Sequence, residues 1–157
     1  MRNSAIVLLQ ITVACLGLGA IAFLLWEPHV EGRNAHATVF EIYFKDPFLA
    51  YVYLGSTPFF IALHRAFKLL SHLRHTGVVS QVTVEGLGTI RRCALTLIGF
   101  IAGAEVYIVV AMRGKEDIAG GVMMGLVLMS ACAVTAVAAA VVERMLQNAL
   151  GLTSGKT

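Results

Sequence analysis

Long apolar runs alternate with shorter polar stretches along this 157-residue chain. Each run is close to the roughly 20 residues that cross a bilayer as a helix. The runs cover about residues 5–26, 47–67, 93–112 and 118–142, and the polar stretches cover 27–46, 68–92 and 113–117. The pattern predicts an all-α integral membrane protein, with residues 1–157 forming one membrane domain built as a four-helix transmembrane bundle.

The first run, from Ala5 to Trp26, carries no charged residue. A secretory signal peptide has an apolar region of about 7–15 residues followed by a small-residue cleavage site. This run is longer and no such site follows it, so we expect a retained span closed by Trp26 at interfacial depth.

The polar stretch between the second and third runs is unusually basic. Five of the twelve Lys and Arg residues lie between Arg65 and Arg92. Gly77 suits the left-handed position that ends a helix, and Ser80 suits the N-cap of the next one. We therefore predict a helical hairpin tip that projects beyond the membrane, where it would dock a partner. The basic and histidine residues expected to dock it are Arg65, Lys68, His72, Arg74, His75, Arg91 and Arg92.

Charge fixes the expected orientation, because loops rich in Lys and Arg stay on the cytoplasmic side. Eight of the twelve cations fall on the side of the basic turn and both termini, and four fall on the other side. This predicts an N-in/C-in protein of the bacterial cytoplasmic membrane with the hairpin tip in the cytoplasm. Topology thus accounts for the net charge of +3, and we expect no direct contact with nucleic acid.

The connection 27–46 is expected on the outer side, with Pro28 and Gly32 ending any continuing helix. The aromatic piece 39–44 is too short to cross and is expected to lie along the outer interface. Ligand sensing by this loop is an alternative, since it carries His29 and His36 and an unperturbed histidine changes charge near neutral pH. Solvated histidines are the commoner case.

Glu105 is the one charged residue deep within a predicted span. It lies about 20 Å from Arg92 at about 1.5 Å per residue, in the outer half of the membrane. A carboxyl group at that depth is costly unless it is paired, protonated or hydrated. Tyr51 or Tyr53 lies at similar depth and is its expected partner. Glu105 is then either a structural acid between helices or a proton- or ligand-sensitive group.

Small residues predict where the helices approach closely. Gly99 and Gly103 form one G-x-x-x-G pair, and Gly121 and Gly125 form another. Glu105 points about 140° away from the first pair at about 100° per residue. Pro58, within the second span, is expected to kink it. These pairs also permit a homo-oligomer without requiring one.

Catalytic and metal chemistry find little support in the sequence. Cys15, Cys93 and Cys132 form no C-x-x-C pair, and buried cysteine behaves as a small hydrophobe. His64, His72 and His75 share a helix face, but no carboxylate or cysteine completes a ligand set. No nucleophile stands with a base and an orienting group. We expect no enzyme, no metal and no cofactor.

Three segments resemble a family of small bacterial four-span membrane proteins catalogued as a domain of unknown function. They are 66–70 followed by Gly77, Ser80, Val84, Leu87, Ile90 and Cys93; then 116–125; and 143–149. Members are often encoded beside a short helix-turn-helix protein of the Cro/Xre type. The resemblance implies a membrane protein that tethers or modulates such a regulator, and it implies no catalytic residue.

Two functions therefore compete at the level of sequence. The first is a regulatory or sensory module whose cytoplasmic turn binds a helix-turn-helix regulator. In the simpler alternative, the turn binds no partner, and its cations only fix the topology and attract anionic lipid. The second is a subunit of a small transporter or channel, with Glu105 as its coupling group.

Overall fold

Four long helices account for almost all of the structure. The computed structural model describes residues 2–30, 47–78, 80–111 and 118–151. The helices are α1 (Arg2–Val30), α2 (Pro47–Thr76), α3 (Gln81–Ala111) and α4 (Ala119–Ala149). The expected interfacial piece 39–44, Gly32 and the outer turn 113–117 lie outside the described residues. The all-helical prediction is confirmed.

The first helix is longer than predicted, because it runs through Pro28 to Val30. Proline has no N–H, so it leaves the carbonyl of Leu24, four residues earlier, without its helical donor. The Tyr53 hydroxyl of α2 donates to that carbonyl at 2.5 Å. The expectation that Pro28 ends the helix was wrong, and the hydrogen bond from Tyr53 gives a physical reason.

Three of these helices are long and apolar enough to cross a membrane, judged over the described residues. They are Ser4–Trp26 within α1, Gln81–Ala111 and Ala119–Ala149. The tyrosines, hydroxyls, prolines and histidine of α2 lower its mean hydropathy, and α2 does not meet the same criterion. Large apolar side chains such as Leu8, Phe23 and Val110 are mostly exposed, as expected where lipid rather than water covers the surface.

Helices α2 and α3 form a hairpin joined by a short turn. Gly77 takes the left-handed conformation with φ 66°, and its N–H donates to Leu73 O at 3.1 Å. These features confirm Gly77 as the residue that ends α2. Ser80 immediately precedes α3, but its hydroxyl lies 3.1 Å from His72 Nε2. The Ser80 side chain thus ties the two helices together across the turn.

Side-chain contacts set one antiparallel register along the hairpin. Near the far end, Phe48 stacks on Tyr107 with centroids 5.2 Å apart. In the middle, a Cβ placed on Gly55 would lie 3.1 Å from the Phe100 ring. Toward the turn, a Cβ placed on Gly86 would lie 3.0 Å from Leu69 Cδ1.

The third and fourth helices pack through small residues. Gly88 and Ala94 on α3 and Gly125, Ala136 and Ala139 on α4 are buried. Gly88 and Gly125 each receive an acidic side chain from the facing helix. Among the described residues, extensive packing joins only helices that are consecutive in the chain. A four-helix bundle would also pack its first helix on its last, so the described contacts do not confirm the predicted bundle.

Candidate functional site

The carboxyl group of Glu105 lies against the backbone of Gly125 at the α3–α4 interface. A Cβ on residue 125 would overlap the Glu105 carboxyl group. Gly125 is buried and Glu105 is half-buried. The Oε2 atom of Glu105 is buried and has no hydrogen-bond partner among the described residues. An acidic side chain is therefore accommodated here by the absence of a side chain on the facing helix.

The tyrosines expected to pair with Glu105 bond elsewhere. Tyr51 donates from its hydroxyl to Phe100 O at 2.9 Å, and Tyr53 donates to Leu24 O. That part of the prediction was wrong, because the α2–α3 register brings Tyr51 over Gly103 instead. A Cβ on residue 103 would collide with the Tyr51 hydroxyl. Glu105 and Gly103 thus face different helices, in line with the angle between them.

A second acid lies at the opposite end of the same interface. Glu143 of α4 packs on Gly88 of α3, where a Cβ would lie 3.2 Å from Glu143 Oε1. The Nη1 atom of Arg91 lies 3.1 Å from Glu143 Oε2 as an ion pair, although the two groups are not aligned as a hydrogen bond. Gln147 Nε2 is 3.5 Å from Glu143 Oε1. In the sequence Glu143 is marked only by its place directly after the fourth apolar run, so this contact was not predicted.

The predicted glycine pairs contribute unequally to the packing. Gly103 is in close contact with the Tyr51 side chain, and Gly125 is in close contact with the Glu105 side chain. A Cβ at Gly121, by contrast, would make an ordinary 3.7 Å contact with Ile108. A Cβ at Gly99 would meet nothing within 4 Å among the described residues. Pro58 lies within the continuous helix α2.

Basic residues mark one level across the helices. Leu69 of α2 faces Gly86 of α3. One helical turn farther from the hairpin turn, Arg65 of α2 is therefore level with residues 90–91 of α3. Arg91 is paired with Glu143, and Arg92 and Arg144 are exposed beside them. Beyond this level α2 continues from Arg65 to Thr76, which extends about 17 Å at about 1.5 Å per residue. We call the part of α2 and α3 beyond Arg65 and Arg91, with its turn, the hairpin tip.

The seven residues expected to dock a partner fall into three groups. Arg65, Lys68, Arg74, His75 and Arg92 are exposed. His72 is half-buried and bonded to Ser80. Arg91 is engaged by Glu143 inside the α3–α4 interface, so its guanidinium is not part of the free surface of the tip.

The described residues hold no group of three or more His, Cys, Asp or Glu side chains that could bind a metal. Of the three cysteines, Cys93 is buried, Cys132 is half-buried and Cys15 is exposed, and all three are free thiols. The arrangement thus offers helix-packing acids, an exposed basic tip and a polar turn.

Comparison with known proteins places these features in a family context. The family model described as "Protein of unknown function (DUF2975)" matches residues 33–155. The chain is 31% identical over 156 residues to the uncharacterized membrane protein YoaS of Bacillus subtilis (strain 168). That alignment covers 98% of this chain and 96% of the relative. No solved structure matches the chain.

Proposed function

We propose that this chain, which belongs to the DUF2975 family of membrane proteins, regulates a soluble partner from the bacterial cytoplasmic membrane. In this proposal all four helices span the bilayer, both termini are cytoplasmic, and the hairpin tip is the docking surface. The protein acts by binding rather than by catalysis.

The observation that carries the proposal is the extent of the hairpin tip. A connection that only returned the chain to the membrane would need a few residues, but α2 and α3 each continue about three turns beyond Arg65 and Arg91. Gly77 takes the left-handed conformation that ends α2, and the contact between His72 and Ser80 joins the two helices across the turn. A rigid projection of this kind suits recognition by a second protein.

The side chains on the tip favour an acidic partner surface. Arg74 and His75 are exposed in the last turn of α2, and they lie beyond the level of Arg65 and Arg92. Glu85, also exposed, is the carboxylate that the described part of the tip contributes. Complementary charge steers association and selects partners.

A small helix-turn-helix regulator of the Cro/Xre type is the partner we propose. This step rests on the family resemblance, in which such regulators are often encoded beside the membrane protein. Tethering would hold the regulator at the membrane until a signal releases it.

Co-purification tests this proposal. A tagged helix-turn-helix protein encoded beside the gene is expressed with the membrane protein, and the recovered complex is quantified in detergent. We expect Arg74→Ala to lower recovery severalfold. Arg144→Ala is the matched control, since it removes an exposed arginine from α4 outside the tip, and it should leave recovery unchanged. Equal recovery with both variants would rule out docking on the tip.

A second candidate function, a small transporter or channel subunit, is favoured by Glu105. Its buried Oε2 atom has no hydrogen-bond partner among the described residues, and intramembrane acids of this kind often handle protons or ions. Proton-dependent flux in liposomes that disappears in Glu105→Gln but persists in Glu85→Gln would support this function. Absence of flux in the wild-type protein at every pH would exclude it.

A further inference from the structure

An open groove of about 530 Å³ follows one side of α2. Its lining residues are Thr57, Phe60, Ile61, His64, Arg65 and Lys68. Their spacing of three and four places them on a single helix face. His64 lies about 180° around the axis from Gly55, the residue that receives Phe100 of α3, at about 100° per residue. The groove therefore faces away from the hairpin partner.

Polarity changes along the groove in the direction of the α2 axis. Phe60 and Ile61 provide an apolar floor on the part of α2 that the proposed topology, on which this inference rests, places in the bilayer. His64, Arg65 and Lys68 lie exposed at the other end, at and just beyond the level of Arg91 and Glu143. A groove that is apolar at depth and cationic at the surface matches the two halves of a phospholipid.

The charge at this end of α2 is uncompensated over the described residues. Arg91 and Glu143 form the one ion pair there. Glu85 projects from the tip of α3, at a level beyond Lys68 by the α2–α3 register. Two permanent cations and a histidine within the five residues 64–68 therefore favour an anionic headgroup over a zwitterionic one.

We infer that this groove binds an anionic phospholipid. The lipid phosphate lies against Arg65 and Lys68, and an acyl chain runs along Phe60 and Ile61. This inference reassigns Arg65 and Lys68, two of the residues expected to dock the partner, to the lipid. Arg74 and His75, on the last turn of the same helix, are left to the partner. Binding here would fix the depth at which α2 leaves the membrane, and thereby the height of the hairpin tip.

Native mass spectrometry of the detergent-purified full chain tests the inference. The protein is titrated with phosphatidylglycerol and, separately, with phosphatidylcholine. We expect at least about tenfold tighter binding of phosphatidylglycerol to the wild-type protein, and a loss of roughly 30-fold in Arg65→Gln/Lys68→Gln. Because both side chains are exposed, the variant should keep the wild-type melting temperature, which is measured in parallel.

The matched control is Arg74→Gln/His75→Gln, which changes two exposed basic residues of the same helix outside the groove. It should retain the wild-type affinity for phosphatidylglycerol. Soluble glycerol phosphate, which lacks acyl chains, should fail to displace the lipid at equal concentration. Equal affinity for the two lipids, equal loss in both variants, or displacement by glycerol phosphate would each overturn the inference. Loss of regulator docking in Arg74→Ala would not affect it.

Discussion

The carboxyl group of Glu105 occupies the space that any side chain on Gly125 would need. The two residues belong to different helices, so the contact fixes both the separation of α3 and α4 and their register. Glycine is required on one side because the acid is present on the other. A close contact between α3 and α4 and the acid within α3 are therefore one structural feature.

Gly125→Ala should destabilise the protein. The added methyl group overlaps the Glu105 carboxyl group, and relieving such overpacking typically costs about 1–3 kcal/mol. Thermal unfolding in detergent measures the effect. Gly120→Ala is the matched control, because a Cβ there meets nothing within 4 Å among the described residues. Adding Glu105→Ala to Gly125→Ala should restore part of the loss; equal melting of the two glycine variants would contradict the contact.

Tyr53→Phe should weaken the attachment of α1 to α2. The change removes the donor to Leu24 O, and hydrogen bonds between membrane helices are worth roughly 0.5–1.5 kcal/mol. If the tyrosine replaces the donor that Pro28 lacks, the cost should shrink in a Pro28→Ala background, where the backbone N–H is restored. A double-mutant cycle on unfolding free energies measures this coupling. The same cost in both backgrounds would contradict the compensation.

Arg91→Gln and Glu143→Gln should each destabilise the interface by about 1–2 kcal/mol. Each change leaves the partner charge half-buried and unpaired, which is the costly outcome for such pairs. The double variant should recover part of the loss, because no unpaired charge is left. Arg92→Gln, an exposed neighbour, is the control and should be neutral. Additive losses in the double variant would show that the two groups do not interact.

Gly77→Ala should loosen the hairpin tip without affecting the rest of the protein. A residue with a Cβ costs about 1 kcal/mol at φ 66°. Hydrogen exchange should therefore rise in the last turn of α2 and the first turn of α3. Gly99→Ala, placed where a Cβ meets no neighbour among the described residues, should leave exchange at the tip unchanged. Unaltered exchange in Gly77→Ala would mean that the turn is not held by this residue.

Features that depend on one helix were predictable from the sequence. The start of α2 at Pro47, its continuation past Phe67 and its end before Gly77 follow from local chemistry. The opposed directions of Glu105 and Gly103 follow from helical periodicity. The end of α1 could not be predicted from that helix alone. Tyr53 of α2 donates to the carbonyl of Leu24, which Pro28 leaves without a donor.

Features that depend on the register between helices were not predictable. Tyr51 and Tyr53 lie near the level of Glu105 by the α2–α3 register, yet their hydroxyls meet backbone carbonyls rather than Glu105. The contact of Glu143 with Gly88 joins residues 55 positions apart, with no sequence signal beyond a lone acid and a lone glycine. Gly99 shows the converse, since a G-x-x-x-G spacing alone does not bring a neighbour to both glycines.

In the proposed topology the basic hairpin tip faces the cytoplasm while the connection 27–46 faces outward. Thiol accessibility in intact cells tests it most directly, after Cys15, Cys93 and Cys132 are replaced by Ala. A membrane-impermeant maleimide should label Asn34→Cys in intact cells and Arg74→Cys only after permeabilisation. Labelling of Arg74→Cys in intact cells, with Asn34→Cys protected, would contradict the account.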